Sequence, residues 1–186
     1  MAQSARPHRH MSVEEYLEFE KDSEVRHEYV GGVAYAMTGG SGRHNRISLN
    51  IARKLADGAE GTSCRVYMSD MKVSIPDRPF YYPDVIVVCG EEPEHPYYFV
   101  EDPCLIVEVT SPNTEATDRR EKLEAYKTLP TLMEYLIVSQ NEEKLERHFR
   151  DENDEWWRAE LANEAEIPLP CPPGASLSLE DIYENL

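Results

Sequence analysis

The chain has no apolar run near the ~18 residues that a membrane-spanning helix needs, so a helical span is not expected. It has no Gly-Lys-Ser or Gly-Lys-Thr, which excludes a nucleotide P-loop. It has no Gly-x-Ser-x-Gly and no His-Glu-x-x-His, so serine hydrolases and zincins gain no support. Positive charge is scarce: 19 Lys and Arg stand against 36 Asp and Glu, for a net charge of -17. Wrapping nucleic acid by bulk electrostatics is therefore disfavoured, because phosphate binding rests on cationic contacts. Cysteine is scarce too. Cys64, Cys89, Cys104 and Cys171 lie far apart with no Cys-x-x-Cys pair, so a zinc site is unsupported. Cys89 and Cys104 sit in apolar runs where free cysteine behaves as a small hydrophobe. A reducing cytoplasm is the expected compartment.

What remains fits a globular chain. At 186 residues and 21.4 kDa it is long enough for one domain with a proper core, expected over 12–186 behind a flexible tail at 1–11. The first ten residues carry arginine, proline and histidine without an apolar segment, so no secretory signal is expected there. Charge is uneven. Residues 141–186 hold 13 acids against 4 Lys and Arg, whereas Tyr29 to Ala56 has no acid and contains Arg43, Arg46, Arg53 and Lys54. An acidic protein can still present one cationic face.

Ser12-Val13-Glu14-Glu15 matches a capping box and predicts a short helix to about Lys21. Gly31-Gly32 between Glu24–Val30 and Val33–Thr38 predicts a two-residue hairpin. A glycine-rich loop, Gly39 to Gly42, leads into a helix from about Arg43 to Ala56. Ile47, Ile51 and Leu55 should face the core, with Arg43, Arg46, Asn50 and Arg53 on a polar stripe. Strands are expected at Cys64–Asp70, Met71–Ile75, Asp84–Cys89, Leu105–Thr110 and Glu134–Ser139, with a helix from about Glu115 to Leu129. Lys144–Arg150 and Glu155–Glu160 suggest a peripheral hairpin, and Leu179–Tyr183 a terminal helical turn. This order predicts an α/β fold, a mixed sheet with helices on its faces.

Two carboxylates carry the chemistry. Asp84 follows Pro83 at the head of one strand, and Glu108 interrupts the apolar run Cys104 to Thr110. A charge in such surroundings is costly unless something pairs with it. Alternation puts Asp84, Ile86 and Val88 on one face, and Ile106, Glu108 and Thr110 on one face. If the strands are neighbours, the acids meet and suit Mg²⁺, a hard cation held by carboxylates, waters and substrate phosphate. Lys122, near the start of the next helix, is placed to stabilise charge on a phosphate or to orient the water. Plainer readings stand beside these. Asp84 can cap a turn, and Glu108 can be a buried ion pair with Lys122 or Lys72. Lys122 can pair at the surface with Asp118, and Tyr126 can serve packing alone. Glu28 and Asp70 can be hairpin-edge charges. The stripe around Arg43, His44 and Arg46 can be a solvated helix face.

The ordered series Glu28…Gly32, His44, Ser69-Asp70, Pro83-Asp84, Glu108-Val109-Thr110-Ser111-Pro112-Asn113-Thr114, Asp118, Lys122 and Tyr126 resembles the Uma-two family of candidate restriction endonucleases. That family belongs to the PD-(D/E)xK nuclease superfamily. The resemblance covers roughly Ser12 to Ser139. It implies a restriction-endonuclease-like mixed central sheet flanked by helices, with an N-terminal hairpin. It implies Asp84, Glu108 and the carbonyl of Val109 as ligands of Mg²⁺ or Mn²⁺, and nucleic acid, DNA first, as substrate. Glu28 and Asp70 would be accessory acids, His44, Arg43 and Arg46 substrate contacts, and a homodimer the expected assembly. The superfamily lysine two residues after the glutamate is Thr110 here, so Lys122 takes its place. The expected function is a metal-dependent endonuclease. A non-catalytic binding or assembly domain, or a phosphohydrolase of a small substrate, is the alternative.

Overall fold

The computed structural model describes residues 10–76, 79–110, 117–161 and 166–186. The chain before His10, the Ser111-Pro112-Asn113-Thr114 break, the helix start expected at Glu115 and the side chain of Asp118 lie outside the described residues.

The first helix forms where the capping box predicts it. In α1 (Val13–Lys21) the Ser12 hydroxyl accepts from the Glu15 N–H, and the Glu15 carboxylate returns to the Ser12 N–H at 2.7 Å. Its Tyr16 is fully buried, stacks on Tyr29 at 4.7 Å between centroids, and donates to the His27 carbonyl at 2.7 Å. That ties α1 to the hairpin of β1 (His27–Val30) and β2 (Val33–Ala36). Gly31 and Gly32 turn the hairpin with φ of +57° and +86°, a conformation that favours glycine. The Met11 N–H already bonds the Gly32 carbonyl at 2.8 Å, so the chain is fixed one residue inside the expected tail.

Two larger sheets follow. One has the order β2-β1-β5-β4-β7, adding β4 (Lys72–Ser74), β5 (Phe80–Tyr81) and β7 (Phe99–Val100). The other has the order β11-β10-β9-β8-β6-β3. Its strands are β3 (Cys64–Met68), β6 (Val85–Cys89), β8 (Leu105–Thr110), β9 (Glu134–Ser139), β10 (Leu145–Arg150) and β11 (Trp156–Leu161). Only β8 and β9 run parallel in it. The expected strand from Cys64 to Asp70 ends at Met68, because Ser69 turns the chain with φ of +41° toward the other sheet.

Alternation along β6 and β8 divides the core. Val85, Val87, Leu105 and Val107 pack with Ile47, Ile51 and Leu55 of α2 (Gly42–Ala59). Ile86, Val88 and Ile106 face the other way, onto Tyr81, Leu123, Tyr126 and Leu129. Among the described residues the expected helix ends at Tyr126 rather than Leu129, and it contains a π-helical turn, Asp118–Lys122, that runs into α3 (Leu123–Tyr126). A small hairpin of β12 (Glu166–Pro168) and β13 (Ser176–Ser178), then α4 (Leu179–Tyr183), closes the chain against α2.

The cysteines are not free thiols as expected. Cys64 pairs with Cys89, which stands directly opposite it across the β3–β6 ladder, and Cys104 pairs with Cys171. Sequence separations of 25 and 67 hide both pairs until the sheet is assembled.

Two buried acids of β9 and β10 titrate in opposite senses. Glu134 is fully buried, and burial outweighs its 2.7 Å pair with Arg147, raising its pKa to about 7. Burial also pushes Glu146 up, yet hydrogen bonds from Arg158, His148 and Arg119 overcome it and hold the group at about 2. Between the ordinary value of 4.5 and about 7, unfolding releases the proton held by Glu134, so its contribution to stability falls as pH rises. Glu146 contributes above 4.5 and loses that contribution as pH falls toward 2. We expect Glu134→Gln to flatten the decline between those neutral-side limits, and Glu146→Gln to flatten the acid limb. Urea midpoints across a pH series check both.

Candidate active site

The antiparallel pairing of β6 and β8 sets Val85 opposite Val107 and Ile86 opposite Ile106. The same register puts Asp84 opposite Glu108, both on the face that looks toward α3. Asp84 is fixed at both oxygens. Its Oδ2 accepts the Val109 N–H at 2.7 Å, and its Oδ1 lies 2.7 Å from His44 Nε2. Glu108 is 4% exposed, and its Oε1 accepts from Lys122 Nζ at 3.0 Å and Tyr126 Oη at 3.1 Å.

Lys122 ends the π-helical turn, a local geometry that often marks functional positions in helices. Its Nζ lies 2.9 Å from Glu28 Oε1 as well, and 5.5 Å from the centre of the Tyr81 ring. One ammonium thus joins β1 of the five-stranded sheet to β8 of the six-stranded sheet. The turn is held from its far side by the ion pair of Arg119 with buried Glu146. Tyr126 is fully enclosed; burial first, then the Glu108 charge, raises its phenol far above the ordinary range, so it is a permanent donor to Glu108.

His44 arrives on the first turn of α2. Ser41 caps that helix by accepting the His44 N–H at 3.1 Å, and the first turn carries no acid. Gly40 permits the approach of the ring: a Cβ there would fall 2.9 Å from His44 Cδ2. These groups line a cleft of about 690 Å³ with Arg26, Glu28, Asp84, Glu108, Lys122 and Gln140 on its walls. The positive end of an 18-residue helix opens into it, a natural seat for an anion.

The structure therefore brings Glu28, His44, Asp84, Glu108, Val109 and Lys122 together around one cleft. Asp70 stays outside, 81% exposed and 3.4 Å from Arg26. Arg43 donates to the Gln140 carbonyl at 2.6 Å and braces the rim. Arg46 bonds the Asn185 carbonyl, and Asn50 and Arg53 also engage the C-terminal segment. The polar stripe is thus a largely solvated face, as its plainer reading held, whose exposed arginines reach Gln140 and the C-terminal segment while Asn50 is half-buried. Lys122 pairs with Glu108 as the plainer reading of Glu108 required, while Lys72 lies between the Tyr16 and Tyr82 rings. The Thr110 hydroxyl is turned to the Val138 carbonyl at 3.4 Å. Tyr126 packs and also holds Glu108, a role signalled only by its lying one turn beyond Lys122.

Residues 13–180 match the Uma2 family model, whose description reads "Putative restriction endonuclease". Two uncharacterized proteins of Synechocystis sp. are similar in sequence. The protein slr1290 is 34% identical over 95% of this chain and 93% of its own length, and sll1609 is 32% identical over 84% and 91%. A crystal structure titled as a putative nuclease of the DUF820 group from Anabaena variabilis superposes with a TM-score of 0.76, covering 93% of this chain and 97% of that one. At 16% identity, that likeness shows the fold.

Lys122 is the counter-charge of two acids in a nearly closed space. Removing one partner of such a pair typically costs about 3–5 kcal/mol, because the remaining charge is left uncompensated. We expect Lys122→Met to lose stability on that scale, and Glu28→Gln with Glu108→Gln in the same background to restore most of it. Urea denaturation of the three proteins measures this; a loss below about 1 kcal/mol would contradict the buried pair.

Proposed function

Because the chain belongs to the Uma2 family, whose description is a restriction endonuclease, we propose that its cleft hydrolyses nucleic-acid phosphodiesters with the help of a divalent cation. One observation carries the reading. The β6–β8 register sets Asp84 against Glu108 on one face of a cleft, with the Lys122 ammonium 3.0 Å from Glu108. The donor set fits Mg²⁺ or Mn²⁺: Asp84, Glu108 and the Val109 carbonyl are hard oxygen ligands, and Glu28 is a further carboxylate within the same walls. When bound, such an ion supplies neutralisation of phosphate charge and lowers the pKa of a water.

The chain's own groups do the rest. The N-terminus of α2 and Arg26 attract and orient the phosphate at the cleft mouth. Lys122, on the cleft wall beside Glu108, is placed to stabilise negative charge that grows on the phosphorus oxygens. Tyr126 and the Val109 N–H fix the carboxylates of Glu108 and Asp84, so neither must reorganise during reaction. His44, against Asp84 Oδ1, holds that carboxylate and can carry a proton near the leaving oxygen. DNA as substrate, a homodimer placing two cuts, and a cytoplasmic setting complete the proposal. The net charge of -17 favours a second reading, a binding domain that has kept the scaffold without the chemistry.

We expect cleavage of plasmid or oligonucleotide substrates with Mg²⁺ or Mn²⁺. Asp84→Asn and Glu108→Gln should each lower the rate by at least about 10²–10³-fold while circular dichroism stays native. Calorimetric titration with Mn²⁺ should show binding that both substitutions abolish. Cleavage surviving both substitutions would remove this site from the reaction. Absence of both cleavage and Mn²⁺ binding would favour the binding-domain reading.

A further inference from the structure

All four cysteines gather at the end of the β6–β8 pair opposite the acid cleft. Cys64 opens β3, Cys89 closes β6, Cys104 precedes β8, and Cys171 sits in the proline-flanked loop between β12 and β13. The two disulfides touch: Cys89 Sγ lies 3.6 Å from Cys104 Sγ. The sulfurs of Cys89, Cys104 and Cys171 all fall within 4.8 Å of one another, and Cys64 is joined to the first of them. Cys64 and Cys171 are buried and the other two half-buried, all within the apolar cluster beneath α2.

We propose that in its reduced state this cluster is a structural zinc site with Cys89, Cys104, Cys171 and Cys64 as its four ligands. A tetrahedron with Zn–S bonds of about 2.3 Å has S···S edges of about 3.8 Å. The existing contact of 3.6 Å between the two disulfides is already close to that edge. Opening the disulfides frees the sulfurs to move apart, and rotation about Cα–Cβ then brings Cys64 Sγ, which lies outside that 4.8 Å group, in toward the other three. In chemical terms, two equivalents of a dithiol reductant deliver four electrons and four protons. Both S–S bonds break to give four thiols, and the reductant leaves as two disulfides. One Zn²⁺ then displaces the four thiol protons and gains four thiolate ligands.

Three observations favour zinc over four idle thiols. Sulfur donors alone select a soft or borderline cation, which separates this site from the all-oxygen cleft. Four thiolates from strands and a loop make the closed donor set of a structural site, which leaves no coordination position for substrate. The metal would also replace what the disulfides do now, tying the Cys171 loop to the sheet end. That loop leads to α4, whose Asp181 takes Lys54 of α2 at 2.9 Å and whose Ile182 carbonyl takes Asn50 at 3.1 Å. The tie thus steadies the helix that carries His44. The inference is independent of the nuclease reading, since its ligands and its test lie outside the acid cleft.

The test uses the full chain purified under a dithiol reductant. Elemental analysis should find about one zinc per chain. Co²⁺ added to the reduced, metal-stripped protein should give thiolate-to-cobalt charge transfer and the intense visible bands of tetrahedral cobalt. Cys104→Ser and Cys171→Ser should each lower the zinc content at least tenfold, while Asp84→Asn leaves the sulfur–cobalt spectrum intact. The cobalt titration needs no variant, so a substitution that misfolds does not decide the matter. Reduced wild-type protein with native circular dichroism, four reactive thiols and no sulfur–cobalt band would overturn the proposal. So would zinc that survives both cysteine substitutions.

Discussion

The site depends on one buried ammonium. Lys122 Nζ sits about equally far from Glu28 and Glu108, and all three groups are largely shielded from water. Taking a carboxylate out of water costs several kcal/mol even after relaxation, so neither acid could occupy its place without that lysine. The pairing also fixes geometry. Glu28 comes from β1, Glu108 from β8 and Lys122 from the helical turn, so the bond network is where both sheets and a helix are held in register. Hydrophobic packing brings these elements near one another, but it is non-directional. Hydrogen bonds to a single Nζ decide how they meet.

The same logic explains how an acidic chain can present a place for an anion. Part of its negative charge is locally answered on the C-terminal part: Asp181 by Lys54, Glu184 by Arg53, Glu160 by Lys144, Asp154 by Arg150 and Glu146 by Arg119 and Arg158. These pairs add little stability where exposed, but they shorten the reach of each charge. At physiological salt, the field of a surface charge fades over about 8 Å. What a ligand in the cleft feels is then set by the nearest groups, the acid-free first turn of α2 and Arg26 among them.

The paired acids were legible because strand alternation is a strong code. Once Asp84, Ile86 and Val88 share a face, and Ile106 shares one with Glu108, only the neighbour relation of the strands is missing, and the register supplies it. The capping box of α1 and the Gly31-Gly32 hairpin were legible for the same reason, since each is a local rule with a local outcome. Non-local partners were not. The polar stripe of α2 reads identically whether its side chains end in water or also reach the C-terminal segment, and the carbonyls of residues 182, 184 and 185 carry no side-chain signature. The two-residue strands β5 and β7 are too short for periodicity to register. The cysteine pairs escaped because sequence spacing reports proximity only within a turn or hairpin, and one pair closes across a sheet ladder while the other ties the sheet end to a distant loop.

The position of the lysine bears on how the site is controlled. A lysine two residues after Glu108 would ride on β8, a strand buried along its whole length, and would move only with the sheet. Here residue 110 is a threonine whose hydroxyl is turned to Val138, and the ammonium comes from a short π-helical turn instead. That turn has its own anchor, the pair of Arg119 with Glu146, and Glu146 is itself held by Arg158 and His148 on the outer strands. A chain of charge-assisted contacts therefore runs from the β10–β11 edge of the sheet to the cleft, each link a hydrogen bond to an ionised group and so stronger than a neutral one. The acids are placed by the rigid ladder and the cation by a separately tethered turn. Mounting the cation on a different element from the acids lets their separation be set by side-chain contacts rather than by the fixed pleat of one strand.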